Sequence, residues 1–272
     1  MDREPAVAGR FYPAQPHDLA TQVAAFLGER PSGHPTQEPP RPAVGLVAPH
    51  AGYVYSGAIA GAVYARIDVP ERAILLGPNH TGLGAPVALW PDGGWNTPLG
   101  RVPVDGILNQ ALQSSSMVVE DREAHRLEHA LEVQLPFLLL RRRELAISAL
   151  CLGALSYAQC TELGRALARA AGGRKPALLV ASSDMSHYLS AAEARAKDLR
   201  ALDRVVALDP KGLYELVHRE GITMCGFVPT TVMLIAALEL GAREAELIRY
   251  GNSGDVTGDS DSVVGYAGVA VF

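Results

Sequence analysis

The chain is poor in the features that mark several large protein classes. Its 272 residues include only three cysteines, and Cys151, Cys160 and Cys225 form no C-x-x-C pair. An odd number of isolated cysteines argues against a disulfide framework and predicts reduced thiols. Aromatic residues make up only 6% of the chain and are scattered, so the sequence offers no platform on which a planar ligand would stack.

Membrane proteins and nucleic-acid-binding proteins are also disfavoured. No apolar run approaches the roughly 18 residues that a membrane-spanning helix requires. The first residues, Met-Asp-Arg-Glu-Pro, lack the basic region and apolar core of a signal peptide. The net charge is −5 and the only basic run is Arg141-Arg-Arg143, which is more typical of a helix end than of a phosphate site. We therefore expect a cytoplasmic protein that binds neither nucleic acid nor a membrane.

The composition that is present predicts a well-packed globular protein. Hydrophobic residues make up 48% of the chain and charged residues 19%, whereas disordered chains are poor in the former. Only the proline-rich stretch 31–42 resembles a linker, and the thirty residues before it are too few for an independent domain. We predict a single domain over residues 1–272, with a surface loop at 31–42.

Three short apolar runs each end at a polar segment that carries a histidine. Apolar runs of about four to eight residues bounded by Gly, Pro or Ser are typical of strands covered on both faces, and the loops after such strands converge on one crevice. Strands and helices alternate along the rest of the chain, which predicts an α/β fold with a mixed, mostly parallel sheet covered by helices on both faces. The three histidines are His50, His80 and His187.

Three convergent imidazoles predict a metal centre, since zinc, iron and copper all accept neutral imidazole. A single histidine is more often a satisfied core residue, but packing alone would prefer apolar side chains at such positions. Cys225 is a candidate anionic ligand because it precedes an apolar helix, whose amino terminus would lower the pKa of the thiol. The alternative role for Cys225 is that of a small buried hydrophobic residue.

Asp184 lies three residues before His187, in Ser182-Ser-Asp-Met-Ser-His187. A carboxylate so near could accept the second N–H of the imidazole and fix its tautomer, as histidines that bind metals or shuttle protons usually require. Alternatively, Asp184 caps the following turn, and the two roles are compatible.

One motif suggests a different chemistry. His125-Arg-Leu-Glu-His129 matches the H-x-x-E-H pattern of inverted zinc peptidases, and we predict that it lies on one face of a helix over 125–143. A five-residue match is weak, and no motif downstream supplies a third ligand. A zinc metallopeptidase is therefore the minor alternative, and we interpret Glu128 and His129 as groups that face the crevice beside the metal or substrate.

Seven short motifs occur in order along the chain and together closely resemble the MEMO family. This family includes the mediator of cell motility in animals and the prokaryotic AmmeMemoRadiSam system protein B. The resemblance extends from about residue 4 to the carboxyl terminus. The motifs are Gly9-Arg-Phe-Tyr-Pro13, Ala48-Pro-His-Ala-Gly-Tyr53, Leu76-Gly-Pro-Asn-His80, Glu128-His-Ala-Leu-Glu-Val-Gln-Leu-Pro136, Ser182-Ser-Asp-Met-Ser-His187, Cys225-Gly and Val264-Gly-Tyr-Ala267.

The resemblance implies a fold similar to that of the extradiol ring-cleaving dioxygenases. In those enzymes two His and one Glu hold iron, and a further His is the acid–base catalyst. Matched onto this chain, His50 and His80 are the two ligand histidines, and Cys225 stands where the dioxygenases have Glu. The position of the acid–base catalyst is that of His187. Four further residues of the motifs are expected in or beside the pocket, namely Tyr53, Asn79, Glu128 and His129, with Asp184 next to the catalyst.

The replacement of Glu by Cys changes the expected chemistry. A thiolate favours copper or zinc over Fe(II), and activated O₂ would oxidise it easily, which argues against ordinary ring cleavage. The resemblance implies metal-dependent redox activity on a small substrate or O₂, with iron or copper as the first expectation and zinc as the second. The alternative is a non-catalytic pocket that binds a peptide, such as a phosphotyrosine peptide, or a protein partner of a radical-SAM system.

Overall fold

The computed structural model describes residues 1–28, 39–173 and 175–272. Most of the predicted surface loop at 31–42 therefore lies outside the described residues. Its last two residues, Arg41 and Pro42, form a short strand that pairs in parallel with Ile67–Asp68.

The described residues contain thirteen strands and ten α-helices. The strands are β1 (Arg41–Pro42), β2 (Gly45–Ala48), β3 (Ile67–Asp68), β4 (Arg72–Pro78), β5 (Val87–Leu89), β6 (Gly94–Thr97), β7 (Gly100–Pro103), β8 (Val119–Glu120), β9 (Ala146–Leu152), β10 (Leu178–Ser182), β11 (His187–Leu189), β12 (Ala245–Asn252) and β13 (Val263–Val271). The helices are α1 (Pro16–Phe26), α2 (Tyr53–Arg66), α3 (Gly106–Leu112), α4 (Glu123–Arg126), α5 (Leu135–Arg141), α6 (Tyr157–Ala171), α7 (Ala191–Val206), α8 (Pro210–Glu220), α9 (Phe227–Glu239) and α10 (Gly254–Thr257).

Nine of the strands in the described ranges form one mixed sheet. Its centre consists of four parallel neighbours in the order β2, β10, β4 and β9. Antiparallel strands flank this centre, with β13 beside β2 and β5 beside β9. Strands β11 and β12 both pair antiparallel with β13, and β8 pairs in parallel with β5. The predicted mixed α/β sheet is confirmed, and its parallel part is the centre.

The central strands are covered on both faces because alternate residues enter two apolar cores. On β4, Ile74 and Leu76 pack on the face covered by α6, α8 and α9. Ala73 and Leu75 pack on the opposite face, which is covered by α1, α2 and α5. The continuous apolar runs of the sequence thus reflect burial from two sides. None of the described helices is both long and apolar enough to cross a membrane.

The helix predicted over 125–143 is wrong. Helix α4 ends at Arg126, and a short 3-10 helix (Glu132–Gln134) precedes α5. The side chain of Glu128 accepts hydrogen bonds from the backbone N–H groups of His129 and Ala130. Side chains that take up nearby amides in this way compete with helix formation. The segment that carries His129 is therefore an irregular connection that bends over the sheet edge.

Candidate metal centre

The carboxyl ends of the central parallel strands bring the first site residues together. Strand β2 ends two residues before His50, β4 ends two residues before His80, and β10 ends two residues before Asp184. Parallel neighbours end at the same edge of the sheet, so these three loops share one crevice. The expectation that strand ends converge on one site is thus met for His50 and His80, and the third strand brings Asp184 to the same crevice.

His50 is held in one tautomer by a serine. Its side chain is 2% exposed, and its Nδ1 lies 2.9 Å from Ser182 Oγ. The hydroxyl of Ser182 donates to the carbonyl of Ala130 at 2.7 Å, and the side-chain amide of Gln134 donates to Oγ of Ser182 at 2.8 Å. Because the Ser182 proton is already used, His50 Nδ1 must be the donor to Ser182. Its Nε2 therefore carries the lone pair that a metal ion requires.

The carboxylate of Glu128 holds the ring of His80 with Nδ1 as the donor, as Ser182 holds that of His50. Its Nδ1 lies 2.9 Å from Oε1 of Glu128, and its backbone N–H donates to Oε2 at 2.7 Å. Burial raises the pKa of Glu128, but the hydrogen bond and charge of His80 outweigh it and lower that pKa to about 2. Burial lowers the pKa of His80, and its hydrogen bond to Glu128 raises it above its ordinary value. With Nδ1 as the donor, Nε2 of His80 is also free to bind a metal.

His129 completes a group of three imidazoles. One ring nitrogen from each of His50, His80 and His129 lies within 4.8 Å of the others. The ring centroids are 5.1 Å apart for His50 and His80, 5.4 Å for His50 and His129, and 4.9 Å for His80 and His129. Burial lowers the pKa of His50 to about 3 and that of His129 to about 4. Both are therefore neutral near pH 7, the form that coordinates metals.

Cys225 reaches the same crevice from the start of α9. Its Sγ lies 3.2 Å from Nε2 of His50. The next residue must be small, because a Cβ at Gly226 would overlap the carbonyl of Ser182 and the side chain of Ser183. Burial raises the pKa of the Cys225 thiol. The expectation that the amino terminus of the helix lowers this pKa was therefore wrong, since loss of solvation dominates.

His187 lies near these groups but has a different partner from the predicted one. Its Nδ1 donates to the carbonyl of Thr223 at 2.9 Å, which leaves Nε2 as an acceptor. His187 contributes electrostatically to the lowered pKa of His50. The carboxylate of Asp184 instead accepts the backbone N–H of His50 at 2.8 Å, and burial raises the pKa of Asp184. The predicted Asp184–His187 hydrogen bond was wrong, although the acid–base role of His187 stays a prediction.

Two residues expected to line the pocket have structural roles instead. Tyr53 is buried in the core, where its hydroxyl donates to the carbonyl of Val133 at 2.6 Å and its ring packs on Phe137. The side-chain amide of Asn79 donates to the carbonyl of Leu83 at 2.7 Å and accepts the N–H of Gly82. Asn79 thus shapes the loop that carries His80, and neither side chain is placed as a substrate group.

The two histidines of the H-x-x-E-H motif do not share a helix face. His125 is fully buried, its Nε2 donates to the carbonyl of Ala88 at 3.0 Å, and it packs between Trp90 and Trp95. His129 lies beyond the end of α4, against His80. The predicted placement on one helix face was wrong, and the peptidase alternative loses the geometry on which it depended.

Sequence reasoning missed Ser182 and Gln134, which fix His50. Gln134 is fully buried, and its amide also donates to the carbonyl of Pro49 at 3.0 Å. The available signal was a glutamine inside the apolar run Val133-Gln-Leu-Pro, because a buried amide needs specific partners. The order of side chains around His50 could not be obtained from this signal alone.

A family model described as Memo-like protein matches residues 3–270. The chain belongs to the MEMO family. A MEMO1 family protein of Methanosarcina barkeri is 42% identical over 99% of this chain and 99% of its own length. A MEMO1 family protein of Aquifex aeolicus is 43% identical over 98% of this chain and 98% of its own length. A MEMO1 family protein of Methanopyrus kandleri is 40% identical over 99% of this chain and 98% of its own length.

A solved structure shares the fold of this MEMO family protein. It is that of an uncharacterized protein from Escherichia coli K12, with a TM-score of 0.54 and 16% sequence identity. The match covers 83% of this chain and 98% of that chain. At this identity the likeness concerns the arrangement of the sheet and helices alone.

Proposed function

We propose that this MEMO family protein binds a transition metal ion at His50, His80 and Cys225 and uses it in redox chemistry on a small substrate or O₂. The observation that carries the proposal is the close approach of His50 and His80, whose ligand atoms lie within 4.8 Å of each other and of His129, together with Sγ of Cys225 at 3.2 Å from Nε2 of His50. In His50 and His80 the ring proton is committed to Ser182 or Glu128, so that Nε2 is left to a metal. The similarity in fold to extradiol dioxygenases, which the sequence motifs suggest, is part of the proposal.

The donor set fits such an ion. Neutral imidazole suits zinc, copper and iron, and a thiolate adds a soft anionic donor that favours copper or zinc over Fe(II). Cys225 is protonated without a metal because burial raises its pKa, so metal binding would release its proton. Because the proposed redox role requires an ion that changes its oxidation state, which zinc does not, we infer copper or iron as the working metal, with zinc as the alternative. The bound ion would supply electron transfer or polarise a bound oxygen atom.

The chain's own groups would then position and deprotonate the substrate. Nε2 of His187 has no proton when Nδ1 donates to Thr223, so it can accept one from a bound substrate or water. The ionised Glu128 keeps the ring of His80 in place. His50 is only 2% exposed, which restricts access of water to its ring.

The position of His129 favours a second candidate. If His129 is the third ligand in place of Cys225, the site has three neutral histidines, which is typical of zinc centres that activate water for hydrolysis. Cys225 would then be a neighbour of the site that binds no metal.

Calorimetric titration of four variants with copper, iron and zinc tests the two candidates. We expect His50→Ala and His80→Ala to lower metal affinity strongly, because each removes one ligand of an incomplete shell. Cys225→Ser should weaken binding or change the preferred metal, since a hydroxyl is not deprotonated near neutral pH. His129→Ala should have a smaller effect. If His129→Ala lowers metal affinity more than Cys225→Ser does, the three-histidine centre is favoured over the redox centre.

Two further measurements decide whether the site is catalytic. His187→Ala should keep most metal binding and lower any turnover or redox cycling by about 10²–10⁴-fold, the usual contribution of positioned proton transfer. The metal content of untagged protein should be close to stoichiometric for one metal. Persistent sub-stoichiometric mixtures of iron, copper and zinc would contradict the redox proposal and favour a pocket for a peptide or a radical-SAM-system partner.

A further inference from the structure

Tyr188 adopts a backbone conformation that tyrosine rarely takes. Its φ is +60°, in the left-handed region, and among the described residues only Leu208 shares this property without being glycine. Tyr188 is the additional residue of a β-bulge, since His187 pairs with Val264 and Leu189 pairs with the adjacent Val263. A bulky residue in this region costs conformational free energy that glycine or asparagine would largely avoid.

Leu208 shows how such strain is normally offset. It has φ +53° at the end of α7, and its partly buried side chain packs against the larger apolar core. Tyr188 has no such compensation, because its side chain is 80% exposed. Among the aromatic rings of the described residues, only that of His187 pairs with the Tyr188 ring, at a centroid distance of 5.9 Å. The fold therefore gains little from a tyrosine at this position.

Exposed large apolar residues are concentrated near the site residues along the sequence. Ten large apolar side chains are exposed in the described residues. Half of them lie within five positions of His50, His80, Glu128 or His187 along the chain, although the site segments are a small part of the sequence. These five are Val54, Tyr55, Leu83, Leu127 and Tyr188. The segments that carry the polar site residues thus also carry exposed apolar side chains, a combination that ligand sites use.

We propose that Tyr188 binds the outer part of the ligand whose inner polar group occupies the site at His50 and His80. This inference rests on the proposed function. The outer part would be a planar apolar group, because a tyrosine ring offers a rigid face for stacking and loses little conformational entropy on binding. The bulge places this ring beside His187, so one ligand would contact both residues. The strain at Tyr188 is retained because its side chain serves binding, whereas that of Leu208 serves the core.

The experiment compares acetate with phenylacetate as probes of the copper-loaded protein. Both present the same carboxylate to the metal, but only phenylacetate has a ring that reaches outward. We expect the natural protein to bind phenylacetate about 2- to 12-fold more tightly than acetate in titrations of the copper absorption band, the range that one aromatic pair contributes. Tyr188→Gly should reduce this ratio to about one, and Tyr188→Phe should retain it.

Leu208→Gly is the matched control, since it also removes a large side chain from a left-handed residue. It should keep the probe ratio but lower the melting temperature, because it loses buried apolar contacts. Tyr188→Gly should leave the melting temperature the same or raise it. Three results would overturn the inference. The natural protein could bind the two probes equally, Tyr188→Gly could still prefer phenylacetate, or Tyr188→Gly could lose more stability than Leu208→Gly. Failure of the natural protein to bind either copper or iron would instead overturn the proposed function.

Discussion

Two buried carboxylates, four residues apart, have the same number of hydrogen bonds and different roles. Glu128 is 1% exposed and Glu132 is 0% exposed. Glu132 accepts from the guanidinium of Arg3, the backbone N–H groups of Ala6 and Val7, and the hydroxyl of Tyr12, at 2.7–3.0 Å. Glu128 also accepts four hydrogen bonds, from the ring and backbone of His80 and from two following amides, at 2.7–3.0 Å.

The roles of Glu128 and Glu132 differ because their hydrogen-bond partners differ in whether a polar atom remains free for another bond. The partners of Glu132 come from the first twelve residues, so this carboxylate anchors the amino-terminal segment to the body of the protein. The principal partner of Glu128 is an imidazole, whose second nitrogen remains available for another bond. Arg3 links the two, because its guanidinium also donates to the carbonyls of His125 and Glu128. Glu132 thus stabilises the fold by anchoring the amino-terminal segment. Glu128 orients an imidazole whose second nitrogen can still bind another group.

The largest effect on stability is expected from Glu132→Ala. This change leaves Arg3, whose side chain is 2% exposed, as a buried charge without its ion-pair partner. Removing one member of a buried pair typically costs about 3–5 kcal/mol, which urea unfolding would measure. Glu123→Ala, which removes a surface ion pair with Arg126, is the control and should change stability little. Equal losses in the two variants would contradict the anchoring role of Glu132.

Glu128→Gln should act mainly on metal affinity. Glutamine keeps the size of the side chain but lacks the negative charge that orients His80. Loss of a group that hydrogen-bonds a metal ligand typically lowers affinity by about 10- to 100-fold, which calorimetric titration would show. The loss of stability should be smaller than in Glu132→Ala. Unchanged affinity would mean that Glu128, like Glu132, has only a structural role.

The smallest effect on metal binding is expected from His125→Gln, because this imidazole packs between tryptophans away from the site. Its effect should appear in the pH dependence of stability. Burial lowers the pKa of His125 to about 4, below the value near 6.5 of the unfolded chain. The unfolded state therefore binds more protons between these values, and stability falls as the pH decreases from about 6.5 to 4.

Urea unfolding of the metal-free protein at several pH values would measure this contribution. The variant should lose less stability on acidification than the natural protein, while its affinity for metal at pH 7 stays the same. A large loss of metal affinity in His125→Gln would revive the H-x-x-E-H motif as a ligand pair.

The features that the sequence predicted well depend on local patterns. Apolar runs identified the buried strands, and their ends located His50 and His80. Two predictions failed for different reasons, one because a partner is distant in sequence and one because a side chain bonds to nearby amides. His187 was paired with the nearby Asp184, but its partner is Thr223, 36 residues away. The helix predicted over 125–143 is interrupted because the carboxylate of Glu128 accepts hydrogen bonds from two nearby amides. The periodicity of apolar residues does not reveal such hydrogen bonds.

The contact between His50 and Cys225 joins residues that are 175 positions apart. At about 5–20 residues per second, a ribosome needs roughly 10–35 s to synthesise the chain between them. During that interval the histidines of the first strands exist without the sulfur that later lies beside them. The complete pocket can form only when α9 has packed against the end of β10. The complete set of His50, His80 and Cys225 is therefore available to a metal only after this region has been translated.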